Sequence, residues 1–188
     1  MNQLIIISAP SGAGKTTILK QVLNNNPQLA FSISACTRDP RPGEVHGKDY
    51  YFIPVDSFQQ LIDHNAFLEW EMVYPGKYYG TLIKEIERIN QENKFPIVDI
   101  DVKGALNVKK NFPDRSISIF IKPPSLEVLK ERLTLRGTET EELIKERIER
   151  AQFELLFEDK FDYVVVNDNL NAAVLQVEEI IRNFINKK

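Results

Sequence analysis

The chain has 188 residues, 43% of them apolar and 27% charged, and a formal charge of −3. That length builds one domain with a sizeable core, and the mild acidity offers no global field to nucleic acid or to an anionic membrane. Its one cysteine, Cys36, rules out an internal disulfide and suits a reducing cytoplasm. The start Met1-Asn2-Gln3 lacks a basic leader pattern, and no stretch approaches the roughly 20 apolar residues of a membrane helix.

In chain order, Leu4-Ile5-Ile6-Ile7-Ser8 is a continuous apolar run, rich in β-branched isoleucine, that predicts a buried parallel strand. Gly12 and Gly14 follow, and then a helix over residues 15–23 with Ile18, Leu19, Val22 and Leu23 on one face. A strand is expected over 31–34. From 36 to 80 the chain carries Pro40, Pro42, Gly43, Gly47, Pro54, Pro75 and Gly76 around the aromatic run Tyr50-Tyr51-Phe52. This reads as an insert of short antiparallel strands and turns, with one helix over 57–65. Beyond it, strands are predicted over 95–101, 116–121 and 163–166. Helices are predicted over 82–92, 125–136, 141–156 and 171–185. Alternation of this kind gives an α/β fold with a mostly parallel sheet covered by helices.

Ala9-Pro10-Ser11-Gly12-Ala13-Gly14-Lys15-Thr16 matches G-x-x-x-x-G-K-S/T everywhere except the first position. Its glycines let backbone N–H groups turn toward one anion, and the following helix points its positive end at the same place. Lys15 reaches the outer phosphates and Thr16 offers a hydroxyl to Mg²⁺. Ala9 is tolerable if its backbone angles are ordinary. The loop alone identifies a nucleoside triphosphate binder without separating a kinase from a GTPase or ATPase.

In Thr37-Arg38-Asp39-Pro40-Arg41-Pro42-Gly43-Glu44, two arginines three apart in a proline-stiffened loop suit one phosphate. Taken alone they read equally well as solvated surface residues. Tyr50, Tyr78 and Tyr79 add neutral donors. Glu69 beside Trp70, and Asp101 at a strand end, are carboxylates in apolar company; their bland readings are a surface acid and a strand-end cap. Arg132, Arg136 and Arg147 lie among many glutamates, as on a salt-bridged surface. His46 and His64 read as surface residues.

Together with Glu69-Trp70, Tyr78-Tyr79-Gly80, Asp99-Ile100-Asp101, the run 136–142 and Val166-Asn167-Asp168, these segments resemble the guanylate kinase family, in order from Leu4 to the C-terminus. The resemblance implies the P-loop nucleoside-monophosphate-kinase fold. That fold has a five-stranded parallel core sheet flanked by helices (residues 1–33, 82–124 and 157–188), a mixed αβ GMP-binding region (34–81) and a helical lid (125–156). It implies ATP plus GMP giving ADP plus GDP, with Mg²⁺, in purine nucleotide metabolism and GMP recycling. Ser34, Glu69 and Asp101 are then expected to read guanine, with Thr81 adding a hydroxyl near the base. Arg38, Arg41, Tyr50 and Tyr79 are expected at the GMP phosphate beside Gly80, Tyr79 being preferred to Tyr78 by its place before Gly80. Ala9, Pro10, Ser11, Gly12, Ala13, Gly14, Lys15, Thr16 and Thr17 would hold ATP with Arg132, Arg136 and Asn167. Catalysis falls to Lys15, Arg38, Arg136 and Arg147, and the metal to Thr16 and, through water, Asp99.

One departure is Lys103, where the family commonly has glutamine; it either contacts a phosphate or faces solvent. No residue must read the ribose 2′-hydroxyl, so dGMP is an expected second acceptor. Oligomeric state stays open. A non-catalytic phosphopeptide-binding module of the same fold is the alternative from another class, although such modules lose the triphosphate loop that is present here. A sugar-bisphosphate phosphokinase would have no reason to keep both Glu69 and Asp101.

Overall fold

Strand β1 (Leu4–Ser8) is buried at every residue, as an all-apolar run covered on both faces should be. The computed structural model describes residues 3–135 and 140–186. Helix α1 (Lys15–Asn25) buries Ile18, Leu19 and Val22. Strands β2 (Leu29–Phe31), β3 (Ala35–Cys36) and β4 (Tyr51–Phe52) are followed by helix α2 (Val55–Asp63). The hairpin β5 (Phe67–Tyr74) and β6 (Lys77–Leu82) leads into α3 (Ile83–Gln91), β7 (Phe95–Asp99) and α4 (Val102–Asn111). Then come β8 (Ser116–Lys122), α5 (Leu126–Leu135), α6 (Glu141–Leu155), β9 (Tyr163–Val166) and α7 (Leu170–Ile185).

A five-stranded parallel sheet runs in the order β2-β7-β1-β8-β9, as expected for the α/β fold. A second sheet, β4-β3-β6-β5, occupies the predicted insert. The chain divides into two units, one formed by Met1–Ile6 and Gln28–Ser116, the other by Ile7–Pro27 and Ile117–Lys188. The four-stranded sheet lies within the first unit. The second contains α1, α5, α6, β9 and α7. In α7 the buried stripe is Ala173, Val174, Val177, Ile180, Ile181 and Phe184.

Four local expectations are corrected. The strand expected over 31–34 ends at Phe31; the Ser32 N–H still reaches the Ile97 carbonyl at 2.9 Å, and the chain then leaves for the second sheet. That second sheet is mixed, because β3 pairs parallel with β4 and antiparallel with β6. Helix α2 stops before Asn65, whose φ of 52° is left-handed. The strand expected over 95–101 ends at Asp99, and a helix absent from the sequence reading, α4, begins three residues later at Val102. Buried Ile100 prolongs the apolar run and hides the boundary. Asp101 marks it: its side chain accepts the Gly104 N–H at 2.8 Å, an N-cap.

Candidate functional site

The described residues expected to hold ATP lie in the second unit. Between β1 and α1 the chain turns through Gly12 and Gly14, each at φ +93°, a conformation that favours glycine. Space demands glycine as well: a Cβ on Gly12 would lie 2.9 Å from Leu129 and Leu133 of α5, and one on Gly14 only 2.2 Å from Asn167 Nδ2. Ala9 does not share this strain. The positive-φ non-glycine residues among those described are Asn65 and Asn93, so a methyl is accommodated at position 9.

Helix α1 opens on Gly14 with no side-chain cap and no acidic residue in its first turn. Its own first turn therefore offers nothing to offset the positive end, which suits an anion. By contrast α4, α6 and α7 carry the side-chain caps Asp101, Thr140 and Asn169. Thr16 and Thr17 are exposed on the first turn, and Lys15 is half-buried.

Asn167, 5% exposed, is built into this loop. Its Nδ2 donates to the Ala13 carbonyl at 2.7 Å, its backbone N–H donates to Lys122 at 2.8 Å, and its own carbonyl accepts Arg132 Nη2 at 2.9 Å. The other Arg132 terminal nitrogen, Nη1, is buried without a hydrogen-bond partner among the described residues. Arg147, from α6, donates to the Ser11 hydroxyl. The structure thus brings Ser11, Ala13, Gly14, Arg132, Arg147 and Asn167 together. Arg136 lies outside the described residues.

The acceptor-side residues lie in the first unit. Arg38 grips Glu44 with both terminal nitrogens, each at 2.6 Å, while the Arg41 N–H donates to the same carboxylate at 2.7 Å. The hydrogen bond from Arg38 is the main reason the Glu44 carboxyl falls to a pKa of about 2. Arg38 also stacks over Tyr50 at 5.0 Å and Phe52 at 5.4 Å. The rings of Tyr50 and Tyr79 meet edge to face at 6.1 Å. Burial pushes both phenols up, and for Tyr79 a hydrogen bond with Arg38 opposes it. Tyr78 faces the other way, 5.5 Å from Phe58 and 6.2 Å from Trp70. Alternation along β6 thus sets Tyr79 beside Arg38 and Tyr78 among aromatic packing. The Arg41 side chain is exposed.

Glu69 of β5 is a second carboxylate site. Its Oε1 accepts the Thr81 N–H at 3.0 Å and the Thr81 hydroxyl at 2.7 Å. Thr81 is fully buried, so its hydroxyl orients Glu69. A Cβ on Gly104 would lie 2.7 Å from Glu69 Oε2 and 3.2 Å from Asp101 Oδ1, which places both carboxylates against that glycine. Burial, with Asp101 adding repulsion and Thr81 opposing, raises the Glu69 pKa to about 7. Ser34 is buried nearby in sequence to β3, its carbonyl accepting the Tyr51 N–H at 2.9 Å. Gly80 is required for space, since a Cβ there would lie 2.8 Å from the Phe67 ring. Asp99 ends β7, half-buried.

Sequence reasoning quoted Glu44 within its motif but gave it no role; a pairing six residues apart in a loop has no periodic signature. It also read Asn167 only as an ATP contact, missing that its amide braces the loop. His46 and His64 are both exposed, as read from sequence.

Among the described residues no helix is long and apolar enough to cross a membrane, and no group of three or more His, Cys, Asp or Glu is arranged to hold a metal. Mg²⁺ bound with substrate phosphates needs only one or two protein oxygens, and the exposed Thr16 hydroxyl fits that demand.

The family model described as guanylate kinase matches residues 1–184. A guanylate kinase from Chlorobium chlorochromatii is 51% identical over 97% of this chain and 96% of its own length. One from Porphyromonas gingivalis is 47% identical over the whole of both chains. A crystal structure of guanylate kinase from Anaplasma phagocytophilum superposes with a TM-score of 0.81 at 28% identity, covering 100% of this chain and 88% of that one. The chain belongs to the guanylate kinase family.

Proposed function

We propose that this protein transfers the γ-phosphoryl group of ATP to GMP, and also to dGMP, releasing ADP and GDP or dGDP. The observation that carries the acceptor assignment is the pair Glu69 and Asp101 brought together at Gly104, with Glu69 fixed by Thr81. Guanine offers N1–H and an exocyclic amine, both donors, and ionised carboxylates only accept. Adenine offers an acceptor at N1 and leaves such a carboxylate unpaired, which a buried site penalises heavily. The neighbouring Arg38, held by Glu44 and stacked on Tyr50 with Tyr79 beside that ring, is a positioned cation that supports binding of a phosphate monoester.

The nucleophile is an oxygen of the GMP phosphate, already ionised near neutral pH because the second pKa of such esters is about 6. No general base is required. Lys15, Arg132, Arg136 and Arg147 are assigned to the triphosphate, and Arg38 and Arg41 to the acceptor phosphate. Their work is positioning and charge neutralisation. Magnesium bound with ATP supplies further neutralisation. Thr16, and Asp99 through water, are the residues assigned to it, and Ser34 is assigned to the base. The division into a core, a GMP-binding region at 34–81 and a lid at 125–156 belongs to the same proposal, as do a cytoplasmic location and a place in purine nucleotide metabolism.

A coupled ADP-release assay tests this reading. GMP should stimulate turnover with kcat/KM at least about 10⁴-fold above AMP, CMP and UMP, the discrimination expected when a mismatch strands buried polar groups. Equal rates with AMP would refute the assignment of Glu69 and Asp101 to the base.

A further inference from the structure

Glu85, in the first turn of α3, is 4% exposed and stands outside the residues assigned to either substrate. It accepts from four donors. The Ile33 N–H reaches its Oε1 at 3.3 Å and the Tyr51 hydroxyl its Oε2 at 3.1 Å. Arg88 donates from Nη2 at 2.7 Å and from Nε at 3.2 Å. Burial works against the charge, but the bonds from Arg88, Ile33 and Tyr51 outweigh it and hold the carboxyl below its ordinary pKa.

The donors it collects are neighbours of acceptor-site residues. Ile33 lies where the chain passes from β2 to β3, one residue before Ser34. Tyr51 lies one residue after Tyr50. The two segments also meet directly, the Tyr51 N–H donating to the Ser34 carbonyl at 2.9 Å. Side chains alternate along an extended strand. Tyr50 and Phe52 therefore lie under Arg38 at 5.0 and 5.4 Å, while Tyr51 between them turns to Glu85. One face of this short strand carries the arginine cradle; on the opposite face the Tyr51 hydroxyl is held by the Glu85 carboxylate and its ring meets His46 edge to face at 5.8 Å. A two-residue strand has too few ladder bonds to fix its own position, so that anchor decides where the cradle stands.

We propose that Glu85 is a positioning residue for the monophosphate acceptor: by holding the Ile33 amide and the Tyr51 hydroxyl on one carboxylate, it sets Ser34 and Tyr50 in the register that GMP requires. The inference rests on the guanylate kinase reading. Glu85→Gln keeps the shape but replaces one acceptor oxygen with a donor, and Tyr51→Phe removes only the hydroxyl.

Steady-state kinetics with each substrate varied at saturating partner, together with calorimetric titration of GMP and a thermal melt, test the role. Glu85→Gln should raise the GMP KM and Kd about tenfold, with the ATP KM and kcat changed less than about twofold, the signature of lost acceptor binding alone. Tyr51→Phe should raise the GMP KM about threefold, and the double variant should be no worse than Glu85→Gln alone, because both cut one network. A GMP KM that stays at the unaltered value in either variant overturns the role, as does a parallel loss toward both substrates tracking a fall in Tm. Should Glu85→Gln not fold, Tyr51→Phe decides alone by the same criterion. Turnover of GMP by the unaltered protein decides the guanylate kinase reading separately; without it both proposals fall, and with it only the role of Glu85 is at stake.

Discussion

The two units supply the residues assigned to ATP and to GMP by opposite means. In the second, the material is mostly backbone: a loop contiguous in sequence, two glycines at φ +93° and the uncapped start of α1. In the first, it is side chains drawn from distant segments: Arg38 and Glu44 in a loop, Tyr50 beside β4, Glu69 on β5, Tyr79 on β6 and Asp101 at the start of α4. A triphosphate presents the same charge whatever its base, so main-chain N–H groups and cationic side chains can hold it without reading the base. A purine must be told from its rivals, and that requires acceptors placed one by one. The first design tolerates a change of side chain that respects the backbone, as Ala9 shows; the second tolerates little.

The largest effect expected from this contrast is at Lys15. Lys15→Met should lower kcat by about 10³-fold or more while leaving the GMP Kd and Tm unchanged. Near-normal turnover would dissolve the donor half of the comparison. Next comes Glu69→Gln, expected to lower kcat/KM for GMP about 10²-fold with the ATP KM intact.

Glu69 also makes a pH prediction. Its folded pKa of about 7 stands above the ordinary 4.5, so the folded state binds the proton more tightly. The resulting stability is fully present below pH 4.5 and is lost as pH rises through about 7. Since GMP needs the ionised form, its KM should rise as pH falls below 7. Glu69→Gln should remove the limb set by the carboxyl at about 7, leaving the one set by the GMP phosphate at about 6, and raise Tm at pH 8 relative to the unaltered protein; a lower Tm there counts against a strained carboxylate. The smallest effect belongs to Asn167→Ala. Loss of the bond to Ala13 should raise the ATP KM about tenfold with the GMP KM untouched, a net worth of roughly 1–1.5 kcal/mol. Equal shifts in both would show that the two halves are not independently built.

The same contrast governs what could be read in advance. The donor loop was legible because its chemistry is local: spacing, glycine and the flanking strand and helix all lie within twenty residues. The five-stranded sheet was legible from runs such as Leu4–Ser8 and Tyr163–Val166. Asp101 was visible as a carboxylate, but not its work as the N-cap of α4, because Ile100 continued the strand pattern across the boundary. Glu44 and Glu85 were invisible as partners. Their bonds depend on where loops and a two-residue strand fold in space, and no periodicity encodes that. Arg38 and Glu69 emerged as a set only through likeness to a family.

Asn167 carries one more consequence. Through its side chain it touches the loop carbonyl of Ala13, and through its main chain it receives Arg132. One residue thus serves as a common datum for the loop assigned to phosphate and for an arginine on a separate helix. A displacement of that datum moves both together, so within this unit the spacing between them is kept even when their position is not.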